Sequence, residues 1–158
     1  MRIVVAILIL ILIASCRGPE RAPNVQHIEM KLSGDSAVVV EVNSRGEGRY
    51  QVSEPFPTGR SGTFLLSPQQ FAALVERLRP FERTSVPLTD QSIREILEFK
   101  CAEGLPHVTD AGGFWIRWTG QEYDRHYAAD FGCDHERNRD RNDHLRGIIG
   151  GLPVPLNR

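Results

Sequence analysis

Four side chains have the types that acid–base catalysis uses: His107, Asp110, His126 and Asp130. On one strand, His126 and Asp130 share a face but lie about 13 Å apart, at about 3.3 Å per residue, which is too far for a hydrogen bond. Asp124 shares that face and reaches His126 only through water. The sequence therefore encodes no local His–Asp dyad. The pattern is typical of a solvated polar sheet face, and we predict no catalytic residue.

Other motifs of catalysis and nucleotide binding are missing from the sequence. It contains no Gly-x-Ser-x-Gly elbow, and Arg60-Ser61-Gly62 is merely a flexible polar segment. No glycine-rich loop leads into a helix, which disfavours nucleotide binding, and we predict no cofactor.

The composition is that of a folded globular protein with no basic excess. The 158 residues carry a net charge of −1, with 41% hydrophobic and 25% charged residues, which argues against a nucleic-acid partner. A C-terminal run of arginines alternates with acids, which indicates a solvated, salt-bridged face; contact with anionic lipid or a cell-wall polymer is the alternative. The arginines are Arg137, Arg139, Arg141 and Arg146, and the acids are Glu136, Asp140 and Asp143.

The first residues have the pattern of an export signal. Arg2 precedes an uninterrupted apolar run over residues 3–14. In a helix this run extends about 18 Å, whereas the hydrocarbon core of a bilayer is about 30 Å thick. The run is therefore too short for an ordinary membrane span and indicates a signal peptide over residues 1–15.

The end of this run, Ile13-Ala14-Ser15-Cys16, resembles the lipobox of bacterial lipoproteins: an aliphatic residue, two small residues and a cysteine. The resemblance implies cleavage between Ser15 and Cys16 and lipid on the Cys16 thiol, which anchors the protein to a membrane. The alternative is an ordinary signal with an incidental cysteine. Arg17 stands where that family's inner-membrane retention signal has aspartate, which implies an outer-membrane anchor facing the periplasm.

The mature region resembles small, uncharacterised proteobacterial lipoproteins. The resemblance rests on three segments: Ser67-Pro68-Gln69-Gln70-Phe71, Phe114-Trp115-Ile116-Arg117-Trp118 and Asp130-Phe131-Gly132-Cys133. It implies no activity and no site residue.

Two cysteines, Cys101 and Cys133, remain after the leader. Export places them in an oxidising compartment, where we expect a disulfide. Closing a loop of about 32 residues stabilises a fold by about 3–4 kcal/mol in the chain-entropy model. A zinc site formed with His107 and His135 is the rival interpretation, but the spacings do not match paired zinc knuckles, and we predict no metal.

Hydrophobic periodicity predicts where strands and helices form. A capping box at Ser67 begins a helix that Arg79-Pro80 ends. Asp90 caps a short helix to Leu97, or else residues 96–99 form a strand; Asp134 caps a last helix over about 135–149. On the strand Phe114–Trp118, Trp115 and Arg117 share the outer face and mark either a binding patch or covered sheet. Strands are predicted over 25–33, 36–43, 49–53, 114–118 and 123–131, with a loop over 54–62.

These elements predict an α+β fold: an antiparallel sheet of two meanders or hairpins with two or three helices packed on one face. Residues 1–15 are then the signal peptide, 16–24 the lipidated cysteine and tether, and 25–158 one small domain.

Three functions fit this organisation. The first is a non-enzymatic envelope lipoprotein that binds an envelope protein or cell-wall polymer. The second is a small envelope hydrolase or metal enzyme, which requires His107, His126 or His135 to converge with acids in one cleft. The third is an inhibitor or immunity-type protein, which requires a disulfide-held loop that projects into its partner.

Overall fold

The computed structural model describes residues 25–34, 37–53, 59–97 and 101–156. The predicted signal peptide, the Ser15–Cys16 cleavage site and the tether lie outside these residues. No helix within the described ranges is long and apolar enough to cross a membrane. The elements are β1 (Val25–Ser33), β2 (Ala37–Asn43), β3 (Glu47–Ser53), β4 (Arg60–Leu65), α1 (Pro68–Arg83), β5 (Val86–Pro87), α2 (Asp90–Leu97), β6 (Gly113–Gly120), β7 (Tyr123–Asp130) and α3 (Arg139–Gly150).

The seven strands form one antiparallel sheet in the order β4-β3-β2-β1-β6-β7-β5. The first four strands are a meander, and the β6–β7 hairpin joins it at β1. Helix α1 connects β4 at one edge of the sheet to β5 at the other. The predicted α+β class, with an antiparallel sheet of two meanders, is confirmed.

One face of the sheet is apolar and buried, as the period-two patterns predict. The buried strand residues alternate with more exposed ones in β1, β2 and β6. The long helices α1 and α3 contribute to the same core, and Phe81 of α1 lies 5.1 Å from the ring of Tyr127 on β7. The side chains that form this core include Ile28, Met30, Val38, Val40, Val42, Leu74, Leu78, Phe114, Ile116, Trp118, Leu145, Ile148 and Ile149.

Helix α1 begins as predicted and ends later than predicted. The Ser67 hydroxyl accepts from the Gln70 amide at 3.2 Å, and the Gln70 side chain accepts from the Ser67 amide at 2.8 Å, which completes the capping box. Pro80 does not end the helix, which continues to Arg83. The added turn buries Phe81 and lets Glu82 accept from the Tyr123 hydroxyl at 3.1 Å, and these contacts offset the backbone hydrogen bond that proline cannot make.

The edges of the sheet depart from the sequence prediction. Residues 60–62, predicted as part of a loop, belong to β4. Gly62 fits there because the ring of Tyr50, its partner on β3, occupies the space of a side chain, and the ring of Phe64 covers Gly48 in the same way. At the other edge, the two-residue strand β5 was missed; Pro87 is tolerated there because edge strands leave one row of donors unused.

Helices α2 and α3 do not use the predicted N-caps, Asp90 and Asp134. Residues 90–97 are helical, so the strand alternative is wrong for residues 96 and 97, and Thr89 rather than Asp90 caps the helix: its hydroxyl accepts from the Ser92 amide at 3.1 Å. Helix α3 begins at Arg139, later than the predicted residue 135. Asp134 does not cap it, because it lies five residues before this start and its φ of 45° differs from the extended conformation of an N-cap.

Candidate binding cleft

A cleft of about 520 Å³ lies on the sheet face opposite the core. Its floor is a row of three paired residues: Lys31 on β1, Trp115 on β6 and Ala128 on β7. The Lys31 ammonium lies 4.6 Å from the centre of the Trp115 ring, a cation–π contact. On the other side, Ala128 is small and exposed, so space remains beside the partly buried indole.

The wall of the cleft is the segment before β6, and the disulfide holds it. Cys101 is bonded to Cys133, as predicted, with the two Cα atoms 5.3 Å apart. The Val108 amide also donates to the Gly132 carbonyl at 3.0 Å, and Ile96 of α2 lines the same space. The wall is therefore fastened to the end of β7 by one covalent bond and by backbone hydrogen bonds.

The structure brings together a His–Asp pair that the sequence analysis missed. His107 Nε2 lies 3.3 Å from Asp130 Oδ2 at the edge of the cleft, and the other Asp130 oxygen accepts from the Gly132 amide at 2.6 Å. The pair is separated by 23 residues in the sequence. The predicted disulfide was the available signal, because it joins the chain near His107 to the chain near Asp130.

His126 does not lie on a solvated face, and that prediction is wrong. It is 3% exposed, because Val86 of β5 pairs beside it and α2 lies near it on the outer face. Neither ring nitrogen has a hydrogen-bond partner among the described residues. Burial lowers the pKa of His126, and the carboxylates of Asp124 and Glu95 partly oppose this shift. His126 is therefore held neutral, away from His107.

The other candidate residues from the sequence do not lie together in one place. Asp110 lines the cleft with a φ of 62°, whereas His135 is exposed on the segment after the disulfide. Asp124 forms a two-pronged ion pair with Arg117 at 2.7 and 2.8 Å, and the Arg117 hydrogen bonds lower the Asp124 pKa. Arg117 is thus engaged by Asp124, and Trp115 is the member of the predicted aromatic patch that reaches the cleft.

The zinc alternative loses its ligands, because the disulfide occupies both cysteine sulfurs. Among the described residues, no three of His, Cys, Asp and Glu are grouped to hold a metal ion. Two arginines of the C-terminal run have packing roles: Arg141 donates to the Asp130 carbonyl at 2.9 Å, and Arg146 lies over the Phe131 ring at 4.2 Å.

A second, larger depression of about 740 Å³ lies on the same face across β2, β3 and β4. Its central polar side chains contact one another: Glu41 lies 2.6 Å from Arg49 and 3.4 Å from His27. Leu65 is 70% exposed at its margin. Phe64 also lines it, but that ring packs over Gly48 and against the core, whereas Trp115 has open space beside it, so the cleft is the better candidate site.

No protein-family model and no curated protein matches the sequence.

Proposed function

We propose that the protein is a lipid-anchored lipoprotein of the bacterial cell envelope, and that residues 25–158 form a non-enzymatic module that binds an envelope partner in the cleft. The observation that carries the anchor is the lipobox Ile13-Ala14-Ser15-Cys16 directly after an apolar run. The Cys101–Cys133 bond supports export, because disulfides persist in oxidising compartments. The outer membrane, facing the periplasm, is the location that Arg17 favours.

The cleft supports binding better than catalysis. Of the three histidines that a hydrolase could use, His107 is the one that meets an acid in the cleft, whereas His126 is buried with a lowered pKa and His135 is exposed elsewhere. An indole with open space beside it is a common anchor of binding sites, since aromatic rings give a large contact area at low conformational cost.

An inhibitor or immunity-type function is the second candidate, because one observation favours it. The disulfide-held segment exposes two apolar side chains, Leu105 at 41% and Val108 at 45%. Such a segment would place the Leu105 and Val108 side chains in the active-site cleft of a partner enzyme. Replacing Leu105 with Glu would then abolish capture of an exported enzyme and leave the cleft unchanged.

Intact mass spectrometry of the protein extracted from membranes tests the anchor. We expect a chain that lacks residues 1–15 and carries acyl groups, and a gain of about 2 Da on reduction, because two thiols each take up one hydrogen. Cys16→Ser is the matched control and should remain unacylated. An unmodified Cys16 in the wild type would contradict the proposal.

A further inference from the structure

We propose that the cleft binds a neutral saccharide chain, an inference that rests on the proposed function as an envelope binding module. The first argument is the floor. Trp115 stands between Lys31 and the small, exposed Ala128, so a flat ring can lie beside the indole. The C–H face of a pyranose packs on an indole, because its weakly positive hydrogens meet the negative face of the aromatic ring.

The second argument is the mixed charge around that floor. Lys31 is a half-exposed donor whose ammonium also lies 2.9 Å from the Glu29 carboxylate, whereas Asp110 and Asp130 are acceptors on the opposite side. The ring of His107, beside Asp130, has nitrogens of both kinds, donor and acceptor. An anionic ligand would meet the two carboxylates, and a cationic ligand would meet the ammonium. Sugar hydroxyls both donate and accept, so a neutral polyhydroxylated ring can satisfy all of these groups.

The third argument is preorganisation. The Gly132 amide fixes one oxygen of Asp130, and the disulfide fixes the wall, so little of the site has to be ordered on binding. The volume of about 520 Å³ lies within the range of about 300–1,000 Å³ found for small-ligand sites. The cleft is open, which suits a segment within a longer chain.

Fluorescence and calorimetry can test this assignment with the full-length lipidated protein. The detergent must lack a sugar headgroup, since a maltoside would compete for the site. The chain has two tryptophans, and Trp118 is 2% exposed in the core, so Trp115 is the reporter of the cleft. The probes are chitotriose and cellotriose, which share a linkage and differ in the acetamide group.

We expect saturable binding of at least one trisaccharide, with a change in tryptophan emission. Trp115→Leu should weaken binding by about tenfold or more in calorimetry, because it removes the central anchor. Leu65→Ala, which removes an exposed apolar side chain on the same face outside the cleft, should leave the affinity unchanged. Circular dichroism of each variant verifies that it is folded.

Preference for chitotriose would assign an acetamide-bearing glycan. Preference for cellotriose, or equal binding of the two sugars, would mean that the site does not require the acetamide group and would assign a plain glucan. Binding of neither sugar at about 10 mM, or equal binding by Trp115→Leu, would overturn the assignment. Acylation of Cys16 is measured separately. An acylated protein that binds no sugar therefore refutes only the saccharide, whereas a sugar-binding protein with free Cys16 refutes only the anchor.

Discussion

At the scale of single residues, His126 is the least satisfied side chain of the described structure. It is buried, and both ring nitrogens lack hydrogen-bond partners. A buried polar group without a partner costs about 1–3 kcal/mol, so this position is destabilising in the native state. The fold tolerates it because burial lowers the pKa and keeps the ring neutral.

We predict that His126→Leu raises the free energy of unfolding by about 1 kcal/mol near neutral pH, because leucine has no polar atoms to desolvate. The gain should grow as the pH falls below 6.5, the ordinary histidine value. In that range the unfolded histidine binds a proton that the folded one resists, so the wild type loses stability. Urea unfolding across pH 5–7 measures both effects. The exposed His135→Leu is the control, and an unchanged pH dependence in His126→Leu would refute the explanation.

At Gly132 the chain after β7 passes close to the backbone of the segment before β6. A Cβ atom there would overlap the Val108 carbonyl oxygen, which belongs to the wall of the cleft. We predict that Gly132→Ala lowers the free energy of unfolding by about 2–3 kcal/mol, since backbone rather than a flexible side chain must move. In Gly150→Ala the new methyl group meets nothing within 4 Å, so denaturation should show no loss. Equal effects of the two substitutions would exclude this steric cause.

The sequence pointed to four residues of the cleft but not to Lys31 or Ala128 of its floor, and not to the contact between His107 and Asp130. The four are His107, Asp110, Trp115 and Asp130, and strand periodicity relates only residues that lie on one strand. The His107–Asp130 pair depends on where the disulfide and the Val108–Gly132 hydrogen bond place a segment without regular structure. The prediction for His126 was wrong for a related reason: its cover comes from β5, which was not predicted, and from α2, for which a strand was the alternative.

At the scale of elements, β3 and β4 are joined by two glycine–aromatic pairs, and each strand supplies the glycine of one pair and the ring of the other. Phe64 covers Gly48, and Tyr50 covers Gly62. Such pairs let a ring lie flat across a neighbouring strand, which stabilises a sheet edge whose glycines alone would weaken it. This is why a segment rich in glycine and polar residues forms a strand, although its composition indicated a loop.

We predict that Gly48→Ala lowers the free energy of unfolding by about 1–2 kcal/mol, because the new methyl group displaces the Phe64 ring. The loss should be much smaller in a Phe64→Ala background, since the ring is then absent. A double-mutant cycle from chemical denaturation gives the coupling between the two positions. Additive effects would show that Gly48 acts through its backbone alone.

Strong local patterns predicted their elements well, and tertiary contacts decided the others. The alternating strands β1, β2 and β6 and the capping box of α1 needed only local chemistry. Helix α1 continues past Pro80, where Phe81 becomes buried. Before α3, the Asp134 amide donates to the Pro106 carbonyl, which belongs to a distant segment. No local pattern contains those two contacts.

At the scale of the whole molecule, the disulfide links the wall of the cleft to the approach to α3. We predict that the double variant Cys101→Ser/Cys133→Ser loses about 3–4 kcal/mol of unfolding free energy, the cost expected for a loop of 32 residues. Guanidinium unfolding measures the loss, and reduction of the wild type should reproduce it. A loss below about 1 kcal/mol would mean that the noncovalent contacts of the loop suffice.

The position of β1 in the sheet has a mechanical consequence. The chain enters the described domain through this strand, which lies in the middle of the sheet and is paired over eight positions with β6 and over six with β2. A pull from the lipid anchor proposed for Cys16 would reach the domain through β1, and its component along this strand would load the hydrogen bonds to β6 and β2. Such a load stretches the hydrogen bonds on both sides together instead of opening them one by one. The proposed anchor would thus attach the domain through a strand that is paired on both sides.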